Sequence, residues 1–218
     1  MHATLRSLRR WTFRHLYLPL FPGYPQELQK AIGDAGSVLD VGCGTDSPVG
    51  RIPRTFHSIG VDIYAPSLED SRQKRLHDEY HELDVLEIDR AFAPRSIDAI
   101  VASDLIEHLR KPDGDTLLEK MERVARKRVI IFTPNGFLPQ GDVGGNPWQR
   151  HLSGWTPAEM RSRGFRVIGV NGWKPLRGAL AAPRWRPRLF WQCVSDLTEP
   201  LVRRHPEHAF QMLCVKEV

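Results

Sequence analysis

The stretch SVLDVGCG, residues 37–44, is a short apolar run that meets an acid and then breaks into two glycines. Val38, Leu39 and Val41 compose a buried strand, and Gly42 and Gly44 let the backbone turn tightly and approach a ligand with no Cβ in the way. A strand feeding a glycine turn is how an open α/β sheet begins a nucleotide site. Outward from it, PQELQKAIGDAG (25–36) reads as a helix with a glycine end, and HSIGVDI (57–63) as a second strand. A polar helix near 67–79, a weak strand at YHELDV (80–85), an apolar strand at SIDAIVASD (96–104), a helix over 113–126 and the strand KRVIIFTPN (127–135) follow. Strands alternating with helices at this spacing predict βαβ units in a doubly wound α/β fold with a mainly parallel sheet.

Residues 134–155 hold Pro134, Pro139, Pro147 and five glycines, so they predict a long loop without regular structure, of the kind that serves as a lid. TPAEMRSRG (156–164) reads as a helix capped by Thr156 and closed by Gly164, and FRVIGVNGW (165–173) as a strand. Residues 174–187, rich in Pro, Gly and Arg, read as a mobile insertion, followed by one helix over 188–199 and a last strand, HAFQMLCVKEV (208–218). Three parts result: a basic amphipathic extension (1–24), a core (25–173) that carries the lid, and a C-terminal basic insertion, helix and closing strand (174–218).

A chain of 218 residues with 41% hydrophobic content buries one substantial core. Cys43, Cys193 and Cys214 form no pair or framework, which predicts reduced thiols and a cytoplasmic setting. Arginines interrupt the apolar residues near the N-terminus, so no signal peptide is expected there, and no run approaches a membrane span. The net charge of +5 is uneven: residues 1–20 carry four arginines and no acid, 21–160 carry 16 basic and 22 acidic residues, and 161–218 carry 11 and four. Basic flanks around an acidic centre point any anionic partner to the flanks.

The acids recur at strand ends. Asp40 precedes the glycine turn, Asp62 ends the second strand where a carboxylate can accept both ribose hydroxyls, Asp84 ends the third, and Ser103 and Asp104 end the fourth. Ligands of open α/β sheets bind along that carboxyl edge. In order, D-V-G-C-G-T, G-V-D, L-D-V and I-D-A-I-V-A-S-D resemble the motifs of class I S-adenosylmethionine (SAM)-dependent methyltransferases over roughly residues 25–173. The resemblance implies a seven-stranded, mostly parallel Rossmann-like sheet with an antiparallel last strand. It implies SAM as cofactor, its methionine portion on Asp40, Gly42 and Gly44, its ribose on Asp62 and its adenine on Asp84 with Val85, with Cys43, Ile63 and Ser103 completing the candidate cofactor-binding set. Asp46 stands where many members have a third glycine.

For the chemistry, Asp104, Glu107 and His108 are spaced to share one helical turn facing the crevice, and the lid delivers His151. His108 and His151 are the candidate catalytic bases. The run D-L-I-E-H with a later histidine before Trp155-Thr156 also resembles two metal-assisted O-methyltransferase groups, those acting on the 3′-terminal ribose of small RNAs and the ubiquinone-biosynthesis type. That resemblance implies a divalent metal ion on Asp104, Glu107, His108 and His151. The lid segment is similar to a bacterial type-11-like subgroup associated with glycan or secondary-metabolite assembly. The expected activity is O-methylation of a small-molecule or glycan hydroxyl; an RNA ribose methyltransferase and a non-catalytic SAM-binding protein are the alternatives. The aromatic and basic stretches at Leu8–Arg14 and Arg184–Trp191 suit peripheral contact with an anionic membrane or stacking on single-stranded RNA.

Overall fold

The structure, a computed structural model, describes residues 23–53, 55–142, 145–178 and 181–218. The expectations for the extension therefore lie almost wholly outside the described residues. Seven strands, β1 (Ser37–Val41), β2 (His57–Asp62), β3 (Glu79–Glu82), β4 (Ile97–Ser103), β5 (Ala125–Pro134), β6 (Arg166–Trp173) and β7 (Ala209–Glu217), form one sheet in the order β3-β2-β1-β4-β5-β7-β6. The pairs among the first five are parallel, and β7 runs antiparallel between β5 and β6. The order reverses direction at β1, and that switch point opens a crevice at the carboxyl ends of β1 and β4.

Among the described residues, seven α-helices flank the sheet: α1 (Tyr24–Ile32), α2 (Ala65–Gln73), α3 (Ile88–Ala91), α4 (Lys111–Val124), α5 (Pro157–Ser162), α6 (Arg188–Leu197) and α7 (Glu199–Arg204). Side chains alternate across each strand, so one sequence feeds two cores. Leu39, Ile100 and Ile131 pack with Leu117 and Met121 of α4 on one face, while Val38, Val101 and Ile130 pack with Leu28 and Ile32 of α1 on the other.

The boundaries correct the sequence reading where a local signal was outweighed. The first helix stops at Gly33, in the left-handed region at φ 58°, instead of running to Gly36. The second starts at Ala65, because Pro66 suits a first turn, and ends at Gln73. The single helix expected over 188–199 is two. It breaks at Thr198, whose hydroxyl donates to the Ser195 carbonyl at 2.5 Å, and Pro200 opens the first turn of α7. Part of the stretch expected as an insertion is hydrogen-bonded to α6. Buried Arg177 donates from Nε to Ser195 Oγ (2.8 Å) and from its terminal nitrogens to Gln192 (2.9 Å) and the Ala181 carbonyl (2.8 Å), tying the segment to α6. All three cysteines are free thiols, Cys43 and Cys214 buried and Cys193 exposed. Among the described residues no helix is long and apolar enough to cross a membrane.

Candidate active site

At the end of β1 the chain turns through Gly42 (φ 70°) and Gly44 (φ 57°), a conformation that any side chain strains. The amides of Gly42 and Cys43 donate to the Val61 carbonyl at 2.8 and 3.0 Å, and the Gly44 amide donates to Asp62 Oδ2 at 2.8 Å. The other Asp62 oxygen accepts the Tyr64 amide at 2.8 Å. A Cβ on Gly42 would stand 2.6 Å from Leu105, whereas one on Gly44 would meet nothing within 4 Å. The loop is thus packed beneath and open above, which is the cradle a nucleoside needs. Burial raises the Asp62 carboxyl above its ordinary value, opposed by the two amides it accepts.

Asp40 lies beneath this loop. Its carboxylate accepts the Ser47 hydroxyl and lies 3.3 Å from His77 Nε2, both within the interior, so it shapes the turn from below. The Cys43 side chain is buried under the loop, where desolvation holds its thiol far up, and only its backbone borders the crevice. Asp84 caps the turn that begins at Val85 by accepting the Leu86 amide at 2.9 Å, and it lines an open cavity of about 540 Å³ with Leu86, His108 and Trp148. Val85 is part of the core. Ser103 Oγ is engaged with the Tyr24 hydroxyl, and Tyr24 stacks on Phe132 at 3.6 Å between ring centroids.

Beyond β4 the backbone does not make the helical turn the spacing predicted. Asp104 takes a left-handed conformation (φ 47°), and residues Ile106–His108 form a 3-10 turn. The three side chains therefore leave the backbone in different directions, yet all line one cavity of about 420 Å³ together with Tyr24, His151 and Gln211. Asp104 Oδ1 accepts Gln211 Nε2 at 3.0 Å, and Glu107 Oε2 accepts the Thr133 hydroxyl at 2.8 Å. Glu107 Oε1 is buried and has no hydrogen-bond partner. Burial first, and then the Asp104 charge, pushes the Glu107 carboxyl well up; enclosure raises Asp104 as well.

His108 Nδ1 faces the Arg150 carbonyl at 3.2 Å, and His151 Nδ1 faces the Leu138 carbonyl at 2.6 Å. A carbonyl only accepts, so each ring carries its proton on Nδ1 and leaves Nε2 with a free lone pair, able to accept a proton or bind a cation. Burial lowers both imidazoles from their ordinary value, opposed by the carbonyls that face their Nδ1 atoms. The rings meet edge to face with centroids 4.7 Å apart. One ligand atom from each of Glu107, His108 and His151 lies within 4.8 Å of the others. Asp104, expected as a fourth ligand, stands outside this group and is held by Gln211.

The lid reaches this point because Trp155 anchors it. Its indole is fully buried, covered by Lys111 at 3.7 Å, and its Nε1 donates to the Ile106 carbonyl at 3.4 Å. The Leu152 and Ser153 amides then donate to the Glu107 carbonyl at 2.8 and 3.0 Å, which clamps the lid beside His151 onto the Glu107 turn. Thr133, Gln211 and Tyr24 escaped the sequence reading. Thr133 and Gln211 are the polar interruptions of two apolar strands, which was the available signal.

Residues 39–133 match the family described as methyltransferase domain. Among solved structures, the chain is similar to a SAM-dependent methyltransferase from Archaeoglobus fulgidus at 17% identity, covering 94% of this chain and 100% of that one with a TM-score of 0.55. It is similar to the methyltransferase domain of a bacterial Hen1 at 18% identity, covering 88% and 94% with a TM-score of 0.55. The small RNA methyltransferase HEN1 matches at 15% identity over 89% of this chain and 25% of that one, with a TM-score of 0.54. At such identities these likenesses are of fold. No curated protein matches the chain.

Proposed function

We propose that this chain, a class I SAM-dependent methyltransferase, transfers the methyl group to a hydroxyl of a small molecule or glycan that enters the cavity lined by Glu107, His108 and His151. The observation that carries the reading is the convergence of one carboxyl group and two imidazoles on a cavity about 420 Å³ in volume. Transfer from a sulfonium is an in-line displacement, so the protein's task is to align donor and acceptor and exclude water. We assign the loop at Gly42–Gly44, with Asp40 beneath it, to the methionine portion, Asp62 beside Ile63 to the ribose hydroxyls, and Asp84 with Val85 to the adenine, with Ser103 as a further cofactor-binding residue at the end of β4.

A hydroxyl is a weak nucleophile until its proton has a place to go. His151 Nε2, its ring fixed by the Leu138 carbonyl, is placed to take that proton, and His108 stands beside it as the second acceptor. The donor set also fits a divalent cation: two imidazoles and a carboxylate with an orphaned, buried Oε1. Such a cation would be held by Glu107, His108 and His151 and would acidify a hydroxyl bound to it.

Methylation of an RNA 3′-terminal ribose is the second reading. The same three ligands favour it, since a ribose end presents a hydroxyl in the same way and a similar fold belongs to a protein named as a small RNA methyltransferase. The acidic balance of residues 21–160 favours the uncharged acceptor. The test is turnover of labelled SAM with sugar and phenolic acceptors and with a short single-stranded RNA, with and without Mg²⁺, Mn²⁺ or Zn²⁺. Label in a base-stable ether of the small acceptor is the result expected. Label on nitrogen or carbon, or only on RNA, refutes the assignment.

A further inference from the structure

α6 is built inside out for a helix on a protein surface, and α7, whose Val202 is buried, continues its exposed apolar edge through Leu201. Such a helix ordinarily turns its apolar stripe to the core and its polar stripe to water. Here the inward stripe is polar: Ser195 is fully buried against Arg177, and Gln192 Nε2 donates to Asp196 Oδ1 at 2.8 Å beside the same guanidinium. The outward stripe is apolar. Leu189, Leu197 and Leu201, four or eight residues apart with exposed Cys193 between, are 80%, 67% and 60% exposed, and Phe190 is 57% exposed. Trp185 lies against Trp191 at 4.9 Å between centroids, and Phe190 meets the same Trp191 at 5.3 Å. The N-terminal end of the stripe is therefore an aromatic cluster.

Around that cluster stand the exposed Arg184, Arg186 and Arg188, none in an ion pair with an acid among the described residues. We propose that this face docks on an anionic phospholipid surface, with the leucines and aromatics in the headgroup and acyl boundary and the arginines on the lipid phosphates. The chemistry selects this occupant. Exposed leucines need an apolar phase rather than the stacked bases a single strand offers. A second copy on the same patch would, by two-fold symmetry, bring the arginine clusters together. Rim arginines with interfacial aromatics complement anionic headgroups on both counts.

The test is co-sedimentation of the full chain with vesicles of phosphatidylcholine alone and of phosphatidylcholine with phosphatidylglycerol, at low and high salt. The chain is expected to sediment with the anionic vesicles only, and less at high salt. Leu197→Asp with Leu201→Asp should weaken binding by about tenfold or more, since each leucine leaves an apolar phase. Replacing Arg184, Arg186 and Arg188 by Gln should weaken it about a hundredfold, at roughly 1 kcal/mol per arginine near the surface. Both variants alter only exposed positions, and unchanged thermal unfolding and S-adenosylhomocysteine binding verify their folds. Several results overturn the proposal: no sedimentation, equal sedimentation with neutral vesicles, or binding that neither variant weakens. It is also overturned by light scattering that shows a dimer broken by the leucine variant, or by retention of single-stranded RNA in place of vesicles. None of these outcomes bears on methyl transfer, so this inference and the proposed function fail separately.

Discussion

The loop between β1 and β2 and the wall formed by β4, β5 and β7 share one edge of the sheet and are held by opposite means. The loop is held by its own backbone: amides of Gly42, Cys43 and Gly44 bind the end of the adjacent strand, and two glycines absorb the turn. The wall is held by side chains from far along the chain: Thr133 on Glu107, Gln211 on Asp104, and Trp155 fixing the lid that carries His151. On the proposed reading, a cofactor common to many enzymes would be met by backbone geometry that tolerates few residues, and an acceptor particular to one enzyme by side chains that can be exchanged while the sheet stays unchanged.

That contrast can be broken by experiment. The largest effect is expected on the wall. His151→Ala should lower turnover by roughly 10²–10⁴, the range for a lost general base, while S-adenosylhomocysteine affinity by calorimetry stays within about twofold. Equal losses in both would mean that the two regions are one unit. The loop should give the mirror result. Gly42→Val places a β-branched residue at φ 70° against Leu105 and should weaken nucleotide affinity about tenfold to a hundredfold, an effect of the 1–3 kcal/mol cost of such strain. Turnover at saturating SAM should change far less.

Smaller effects sharpen the same contrast. Thr133→Val keeps the shape and removes a buried donor to Glu107, so urea unfolding should show a loss of about 1–3 kcal/mol, with nucleotide affinity untouched. Smallest is a pH effect at the far end of β6, where Glu199 accepts the Asn171 and Gly172 amides at 3.2 and 2.6 Å. Burial raises its carboxyl from the ordinary 4.5 to about 7, against the pull of those amides. Between these values the unfolded chain releases a proton that the folded one keeps, so Glu199 withdraws stability as pH climbs from about 4.5 through 7. Glu199→Gln should flatten that part of the melting-temperature profile; an unchanged slope would assign it to other groups.

How much was legible follows from where the holding groups lie. Asp40 was readable as part of the loop, but that it faces Ser47 and His77 from below was not, since His77 enters from the end of another helix and strand unit. Asp104, Glu107 and His108 were legible as a group because they are neighbours in sequence. Their shared helical turn was not, because the left-handed Asp104 follows from its place at the strand end beside Gln211.

The sequence by itself determined the order of strands and helices, the glycine turn and the acids at strand ends, because each rests on side-chain periodicity or on a residue's own backbone freedom. Only the tertiary structure decided that three of the four expected ligands converge, that Arg177 ties part of residues 174–187 to α6, and that α6 turns its leucines outward. Those outcomes depend on which distant segment fills the space beside a residue, and no local pattern contains that information.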